Sequence, residues 1–459
     1  MSRSRSWLSI LPRTELVRFG GLVVLCAALG LATIRVQYDA DAAAGGRLGR
    51  DAAIRAPTRV LIVIPVDASA EGAVASPSAG DLTQSQLVAF ADAARSTLLT
   101  AHPQVKIHEA RGDTRAIRKV LEQLNRDKQR LDLILTTHEV GRQALFEDLV
   151  EDFPDLGTPA LLSPQAYHWP TFFKVGNLLN IADRITVIAV LAVGMTLVII
   201  TGGIDLSVGS LIAFSAVLSC LLIQDYGGGL SAGRGMMLVC SLAGITVGTL
   251  FGLMNGLLIT QLRMPPFIVT LATMLAVSGG AYMLTGGESA HQIPATFTWL
   301  GRGTLMGLPA SLWLLAVLYA IAHFVMLRTP GGRYLYAVGG NREAARLSGI
   351  HTERVLLAAY LLSGLLAGFG GVIMASQYKS GSPMFGQTYE LKVIAAVVVG
   401  GTSLSGGRGT MIGTLIGALM IAVIENGMNL LQVEPYLQKV VLGLVILIAV
   451  GIDQRSATR

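Results

Sequence analysis

Charge is scarce in this sequence. Of 459 residues, 35 are Lys or Arg and 29 are Asp or Glu, 14 % in all, where an ordinary globular chain carries about 25 %. So few charges cannot coat a soluble body of this size, which excludes a cytosolic enzyme and a disordered chain alike. Cysteine is almost missing: Cys26, Cys220 and Cys240 all lie in apolar runs and form no disulfide framework. No GK[ST] triplet and no HExxH pattern occurs, and no Ser–His–Asp grouping is arguable from spacing, so catalysis has no motif to rest on. Basic residues do not interleave with aromatic ones, so nucleic acid is not an expected partner.

Apolar residues and glycine are abundant. Hydrophobic residues make up 52 % of the chain, mean hydropathy is +0.59, and there are 53 glycines. This is the composition of a polytopic membrane protein. Its net charge of +6 is uneven: residues 35–170 hold 15 basic and 18 acidic side chains, and the remainder holds 20 basic and 11 acidic. A cationic membrane part is the usual mark of cytoplasmic loops.

A spanning helix needs about 20 mostly apolar residues. Leu16–Ile34 is the first such run, preceded by Arg3, Arg5, Arg13 and Arg18. It is long for a signal peptide and lacks a small-x-small cleavage site, so an uncleaved anchor is expected. Further blocks lie near 185–201, 207–223, 237–260, 266–285, 309–327, 353–375, 391–400, 410–428 and 435–452. With the anchor they make about ten transmembrane helices, the 391–400 segment being short enough to be re-entrant. Ten crossings from a cytoplasmic N-terminus (1–34 being that terminus and the first helix) return the C-terminus inside. They place Arg328, Arg333, Arg342, Arg346 and Arg354 in the cytoplasm and 35–170 outside.

Residues 35–170 alternate short apolar runs with amphipathic helices. Strands are expected at Arg59–Val66 (RVLIVIPV), Val105–Glu109, Leu131–Leu135 and Thr158–Leu162. Helices are expected at Asp81–Thr100, Asp113–Arg130 and His138–Val150. That order implies βαβ crossovers and a small parallel sheet. The fold class is therefore an all-α membrane protein carrying an extracytoplasmic α/β insert between its first two spans, with a membrane core over 171–459.

Several motifs stand out in that core. Gly248, Gly252 and Gly256 form GxxxGxxxG, as do Gly409, Gly413 and Gly417, and spacing of this kind lets helices approach closely. VGTLFG and IGTLIG rhyme, which leaves ordinary close packing or an inverted repeat open. TGGIDLSVG (201–209), with Gly202, Gly203, Asp205, Ser207 and Gly209, reads as a broken helix end, tolerated only where it is buried in protein or faces water. Asp205 there is an N-cap, a substrate contact or an interface residue. GGNREAARLSGI (339–350) reads as a short helix over Glu343–Leu347 with Asn341 as cap and Gly349 as stop. GGTSLSGGRG (400–409), with Gly400, Gly401, Ser403, Gly406, Gly407 and Arg408, is a turn between spans and lacks the Lys-Ser/Thr of a phosphate loop.

Four stretches carry a resemblance: NLLNIADRITVIAVLAVGMTLVIITGGIDLSVGS (177–210), PPFIVTLATMLAVSGGAYMLTGG (265–287), AVGGNREAARLSGI (337–350) and YELKVIAAVVVGGTSLSGGRGTMIGTLIGAL (389–419). In that order they resemble ribose/xylose/galactose-type permeases of ABC importers, over about 290 residues from Phe172 onward. The resemblance implies a bacterial inner-membrane permease without catalytic activity or cofactor. It further implies a separate cytoplasmic ATPase, a periplasmic sugar-binding protein and a second permease copy. It makes Asn341, Arg342, Glu343, Ala344, Ala345, Arg346, Leu347, Ser348, Gly349 and Ile350 the segment that couples to the ATPase. Lys392, Glu425 and Leu442 depart from the family pattern and leave the solute open between monosaccharides, nucleosides and other small polar compounds. The insert resembles part of one lobe of a sugar-binding protein, expected as a docking or regulatory module, a decayed fusion or an independent sugar site. The rival classes are an ion-coupled transporter, which needs a membrane carboxylate relay, and a ligand sensor.

Overall fold

The computed structural model describes residues 13–65 and 84–457. It divides into two compact units, Met1–Ala32 with Phe172–Arg459, and Thr33–Thr171.

The membrane-type unit opens with α1 (Arg13–Ala32). The other unit then runs β1 (Ile34–Gln37), α2 (Ala42–Ile54), β2 (Arg59–Pro65), α3 (Gln84–Ala101), β3 (Lys106–Gly112), α4 (Thr114–Arg126) and β4 (Leu133–Leu135). Three single turns follow, α5 (His138–Gly141), α6 (Ala144–Glu147) and α7 (Leu149–Asp152), and then β5 (Ala160–Leu162) and β6 (Tyr167–Pro170). The sheet order is β3-β2-β4-β5, every pair parallel. Period-2 alternation sorts β2 between two helix layers. Val60, Ile62 and Ile64 pack with α2 and α3, whereas Leu61 and Val63 pack with α4 and the short turns.

Asp113 caps α4 by accepting from the Ala116 amide at 2.8 Å, but the helix stops at Arg126, one turn short of the expected Arg130. The expected helix over His138–Val150 is instead broken into three turns. Gly141 weakens it, and Glu147/Glu151 and Asp148/Asp152 are like charges four apart, which oppose propagation. Helix α2 escapes the periodicity because glycines occupy its buried face: a methyl on Gly45 or Gly49 would collide with the α3 backbone. Strands β1 and β6 form a separate antiparallel ribbon. Val66 and Asp81 lie outside the described residues.

The rest of the membrane-type unit comprises α8 (Val175–Ile200), α9 (Val208–Leu221, continued by a π turn to Tyr226), α10 (Arg234–Gln261) and α11 (Pro266–Thr285). After α12 (Trp299–Arg302) and the small β7 (Thr304–Leu305) and β8 (Leu308–Pro309) come α13 (Ala310–Arg328), α14 (Pro330–Gly340) and α15 (Arg342–Leu347). The chain ends with α16 (Thr352–Tyr378), α17 (Tyr389–Val399), α18 (Met411–Leu430) and α19 (Pro435–Ala457). Each of the ten apolar blocks falls on a helix. Among the described residues, eight are long and apolar enough to cross a membrane: α1, α8, α9 with its π turn, α10, α11, α13, α16 and α18. Helix α17, at 11 residues, spans only about 16 Å, and the apolar part of α19 ends at Gly451.

Helix α8 is the axis of this unit: every residue from Ile185 to Ile200 is buried. It runs antiparallel to α16, with Gly194 against Ser363 and Gln377 Nε2 donating to the Asp183 carbonyl at 3.0 Å. It also runs antiparallel to α18, clamped by a reciprocal amide pair, Asn177 with Asn426 (3.0 and 2.8 Å), and by Thr196 with Thr414 at 2.8 Å. The neighbour relations of α8–α11 recur in α16–α19: α10 packs on α16 and α18 on α8, α9 on α16 and α17 on α8, α11 on α9 and α19 on α17.

The two glycine stripes serve different contacts. Gly248, Gly252 and Gly256 face Gly364, Gly368 and Leu357 of α16. Gly413 and Gly417 face Gly400 and Ala396 at the end of α17. Gly409 does not belong to the second stripe, because Thr410 caps α18 through the Gly413 amide at 3.0 Å and the helix begins at Met411.

One titratable group in the α/β unit gives a pH expectation. His108 on β3 is held below the ordinary imidazole value, first by burial and then by Arg59 and Lys106, and its Nε2 has no partner among the described residues. The unfolded strand therefore takes up a proton below about pH 6.5 that the folded one resists. His108's contribution is complete above that pH and is lost as pH falls toward the lowered folded value. The protection factors of the β3 amides, with the intrinsic pH dependence of exchange divided out, should fall more between pH 7 and 5 in the full-length chain than in His108→Gln; an equal fall in both would reject this origin.

Candidate functional site: a glycine junction beneath a buried aspartate

Helix α8 runs out at Ile200 because Gly202 follows with φ +79°. The chain then passes through Gly203 and Ile204 to Asp205, which is fully buried. Asp205 is not the N-cap of α9; Ser207 occupies that position. Instead, Asp205 Oδ1 accepts from the Ser207 amide (3.0 Å) and hydroxyl (2.6 Å), a local Asx turn. Its Oδ2 accepts from Ser363 of α16 at 2.7 Å.

The chain of hydrogen bonds continues outward. Asn255 of α10 donates to Ser207 Oγ at 3.1 Å, and Thr273 of α11 donates to Asn255 Oδ1 at 2.6 Å. One carboxylate thus ties the non-helical turn to α10, α11 and α16. Tyr360 lies beside it, fully buried, with its hydroxyl over Gly203 and without a partner among the described residues. Asn255 stands out as a polar residue inside the apolar block 237–260. Ser363, Thr273 and Tyr360 do not, because small polar and tyrosine side chains in an apolar helix are common and unremarkable by themselves.

The three motifs separated in sequence meet here. Gly407 N–H donates to the Ile200 carbonyl at 2.8 Å. A methyl on Gly339, at the end of α14, would overlap that same carbonyl and lie 2.6 Å from Gly407 N. Gly406 and Gly407 adopt φ +84° and +71°, a left-handed pair that only glycine adopts at low cost. Tyr336 of α14 donates to the Gly409 carbonyl at 2.7 Å. Inside the 400–409 loop, Ser403 N–H donates to the Arg408 carbonyl at 3.0 Å, with Ser403 buried and Arg408 exposed. Gly400 packs on Gly413, and the Arg18 side chain of α1 lies over Gly401.

From this junction α15 projects. Asn341 caps it through the Ala344 amide at 2.9 Å, so the helix starts at Arg342, one residue before the expected Glu343. At the other end the Gly349 amide donates to Arg346 O and the Ile350 amide to Ala345 O, both at 3.0 Å, with Gly349 at φ +83°. This is a Schellman stop. Ala345 is buried; Arg342, Glu343, Ala344, Arg346, Leu347, Ser348 and Gly349 are exposed, and Leu347 is 79 % exposed. Arg346 pairs with Glu343 at 2.8 Å.

Gly209 lies apart from the junction, as the second residue of α9, where it abuts Gly386 and the Glu390 carboxylate. Lys392 and Glu425, two of the departures from the family pattern, prove to be partners: an ion pair at 2.9 Å between α17 and α18, about one-fifth exposed on each side, close but not aligned as a hydrogen bond. Leu442 is half-buried on α19. An apolar cavity of about 500 Å³ among α1, α8, α13 and α18, lined by Leu22, Phe172, Tyr319 and Leu415 among others, includes no residue of 201–209, 339–350 or 400–409. No group of His, Cys, Asp or Glu among the described residues could hold a metal ion.

Residues 177–450 match the family model described as branched-chain amino acid transport system / permease component. The chain is similar to the ribose import permease protein RbsC of Escherichia coli (strain K12), 40 % identical over 291 residues, 62 % of this chain and 88 % of that one. RbsC of Bacillus subtilis (strain 168) is 43 % identical over 290 residues, 63 % and 88 % of the two chains. The L-arabinose ABC transporter permease protein AraH of Azospirillum brasilense is 36 % identical over 285 residues, 62 % and 82 %. No solved structure matches the chain. The family model begins at residue 177, so α1 and the α/β unit fall outside it.

Loss of Asp205 would strand three donors, each costing about 1–3 kcal/mol when buried and unpaired. Asp205→Ala should lower the melting temperature of the purified protein clearly. Asp205→Asn should lower it less, since its amide oxygen still serves Ser207 and its NH2 can donate to Ser363. Equal losses would mean that the charge, not the hydrogen-bond set, holds the turn.

Proposed function

The chain belongs to the permease components of ABC importers, and from that premise we propose that it forms the membrane pathway through which a monosaccharide enters the cell. ATP is hydrolysed by a separate cytoplasmic subunit, and a periplasmic binding protein delivers the sugar to a pair of permeases. The relatives named for ribose and arabinose support the substrate class.

The chain crosses the membrane ten times in this reading. Helix α17 completes its crossing with the non-helical Lys379–Thr388 segment, which bridges to Ala290 through Gly381 and reaches α9 at Gly386. Helix α19 is the tenth crossing. Both termini are then cytoplasmic, as is the arginine-rich stretch from Arg328 to Arg354, in keeping with the positive-inside rule. Residues 35–170 are extracytoplasmic and serve as a docking or regulatory module; their described residues build one four-stranded parallel sheet, without a second lobe among them to close on a sugar.

The observation that carries the reading is α15, a fully capped and exposed helix rooted in the glycine junction. Docked on the ATPase, α15 moves with it. Gly339 passes that movement to Ile200 and Gly407 by backbone contact, and so to the Asp205 turn and the α17–α18 loop. Ion coupling would need an open carboxylate relay, and Asp205 has both oxygens committed to Ser207 and Ser363.

The test is the reconstituted permease with its ATPase and binding protein. Arg346→Glu should weaken ATPase association by about tenfold or more, a cost of ~1.4 kcal/mol, and abolish stimulation by sugar-loaded binding protein. Uptake that proceeds without an ATPase and collapses with an uncoupler would overturn the importer. A purine nucleoside outcompeting ribose, arabinose and fructose would overturn the substrate class alone.

A further inference from the structure

The β1–β6 ribbon stands apart from the parallel sheet. Its register pairs Ile34 with Pro170, Arg35 with Trp169, Val36 with His168 and Gln37 with Tyr167. A two-stranded ribbon is marginal in water by itself; here the Thr171 amide extends the pairing by donating to the Thr33 carbonyl at 3.0 Å. At Gln37, which is buried, the side-chain amide donates to the Trp169 carbonyl at 2.8 Å and to Thr171 Oγ1 at 3.1 Å. Tyr167 donates to Asp39. Toward the other end the ribbon exposes its large apolar side chains, Ile34 at 45 %, Val36 at 48 % and Trp169 at 50 %. Directly paired residues share a face, so Ile34 and Val36 project on one side and Trp169 on the other. Each face thus mixes apolar and polar groups, Ile34 and Val36 with His168 on one and Trp169 with Arg35 on the other, a combination suited to a boundary between water and an apolar phase.

Chain length fixes what surrounds that end. Helix α1 has 20 residues, a length of about 30 Å, which matches the hydrocarbon thickness of a bilayer. Its last residue is Ala32, and Ile34 follows within a reach of about 7 Å. Trp169 stands six residues before the first residue of α8, the next span. Ile34 is therefore held within about 7 Å of a membrane crossing, Trp169 lies at the same end because it pairs with Arg35, and the headgroup layer on each side of a bilayer is about 5–8 Å thick. Tryptophan is the residue most at home in that layer, where a flat apolar body and one N–H donor are both satisfied.

We propose that the ribbon is a membrane-interface element: Ile34, Val36 and Trp169 sit in the lipid headgroup layer, and the lipid surface is the partner of both faces. The consequence is an α/β unit rooted in the bilayer rather than hung on free tethers, and this holds whether or not the chain carries a sugar.

The experiment uses the full-length chain with Trp169 as its single tryptophan (Trp7, Trp299 and Trp313 each changed to Phe) in nanodiscs of phosphatidylcholine. Bromines are placed either near the headgroup end or near the methyl end of the acyl chains. Trp169 should emit at short wavelength and lose more emission to the shallow bromines than to the deep ones. Should the triple variant not fold, the difference between the wild-type chain and Trp169→Phe gives the same reading. Long-wavelength emission without quenching would place the ribbon in water and overturn the proposal. Short-wavelength emission without quenching would overturn it in favour of a protein surface.

Discussion

The contact on which the membrane core depends is between backbones: the Ile200 carbonyl, the Gly407 amide and the α-carbon of Gly339. Inside a bilayer a helix end has no water to satisfy its last carbonyls, and a helix that stops must find its partners in protein. The α17–α18 loop supplies one to α8 by hydrogen bond, and α14 seals the site by close approach. Glycine is required at 339 because any side chain would occupy the space of the Ile200 carbonyl oxygen. The end of α8 can then be buried, and the turn beyond it can carry a carboxylate into the core.

The same economy holds the surrounding helices. Lipid offers no hydrophobic drive for helix association, so α10 and α16 meet through glycines on both sides. Helix α8 is registered on α18 by side-chain pairs near either end, Asn177–Asn426 and Thr196–Thr414. Interhelical hydrogen bonds of this kind contribute only about 0.6–1.7 kcal/mol each; their greater use is to fix axial register, which close-packed glycines leave free to slide. The Lys392–Glu425 pair does likewise for the short α17 against α18. It is the sort of ion pair whose desolvation offsets much of its attraction, so it specifies a partner more than it adds stability.

Much of this was legible in the sequence. Apolar blocks marked each membrane helix, and the caps of α15 could be read because Asn341 and Gly349 act within their own turn. The unbroken apolar run of β2 marked a buried strand, and the alternation of strands with helices marked a parallel sheet. What stayed hidden depended on partners distant in the chain. Nothing local says that Asp205 answers to Ser363, 158 residues away, or that 200–203, 339–340 and 400–409 share one place. Lys392 and Glu425 each looked like an isolated departure, and only adjacency makes them a pair. Helix α2 was missed for a local reason, since apart from Leu48 its buried face is made of glycine and alanine, which hydropathy periodicity barely registers. The Asp205 cap was misplaced by two residues because an Asx turn and an N-cap use the same side-chain chemistry.

Adjacent glycines allow a direct measurement of whether the junction transmits movement. Gly339 is closed against Ile200 and Gly407, whereas a methyl on Gly340 meets open space. The quantity to measure is ATPase stimulation by sugar-loaded binding protein in reconstituted complexes of the two alanine variants, each shown to retain its ATPase. Gly340→Ala should behave as wild type, and Gly339→Ala should bind the ATPase yet lose stimulation. Full stimulation in Gly339→Ala would show that movement of α15 reaches the core by another route.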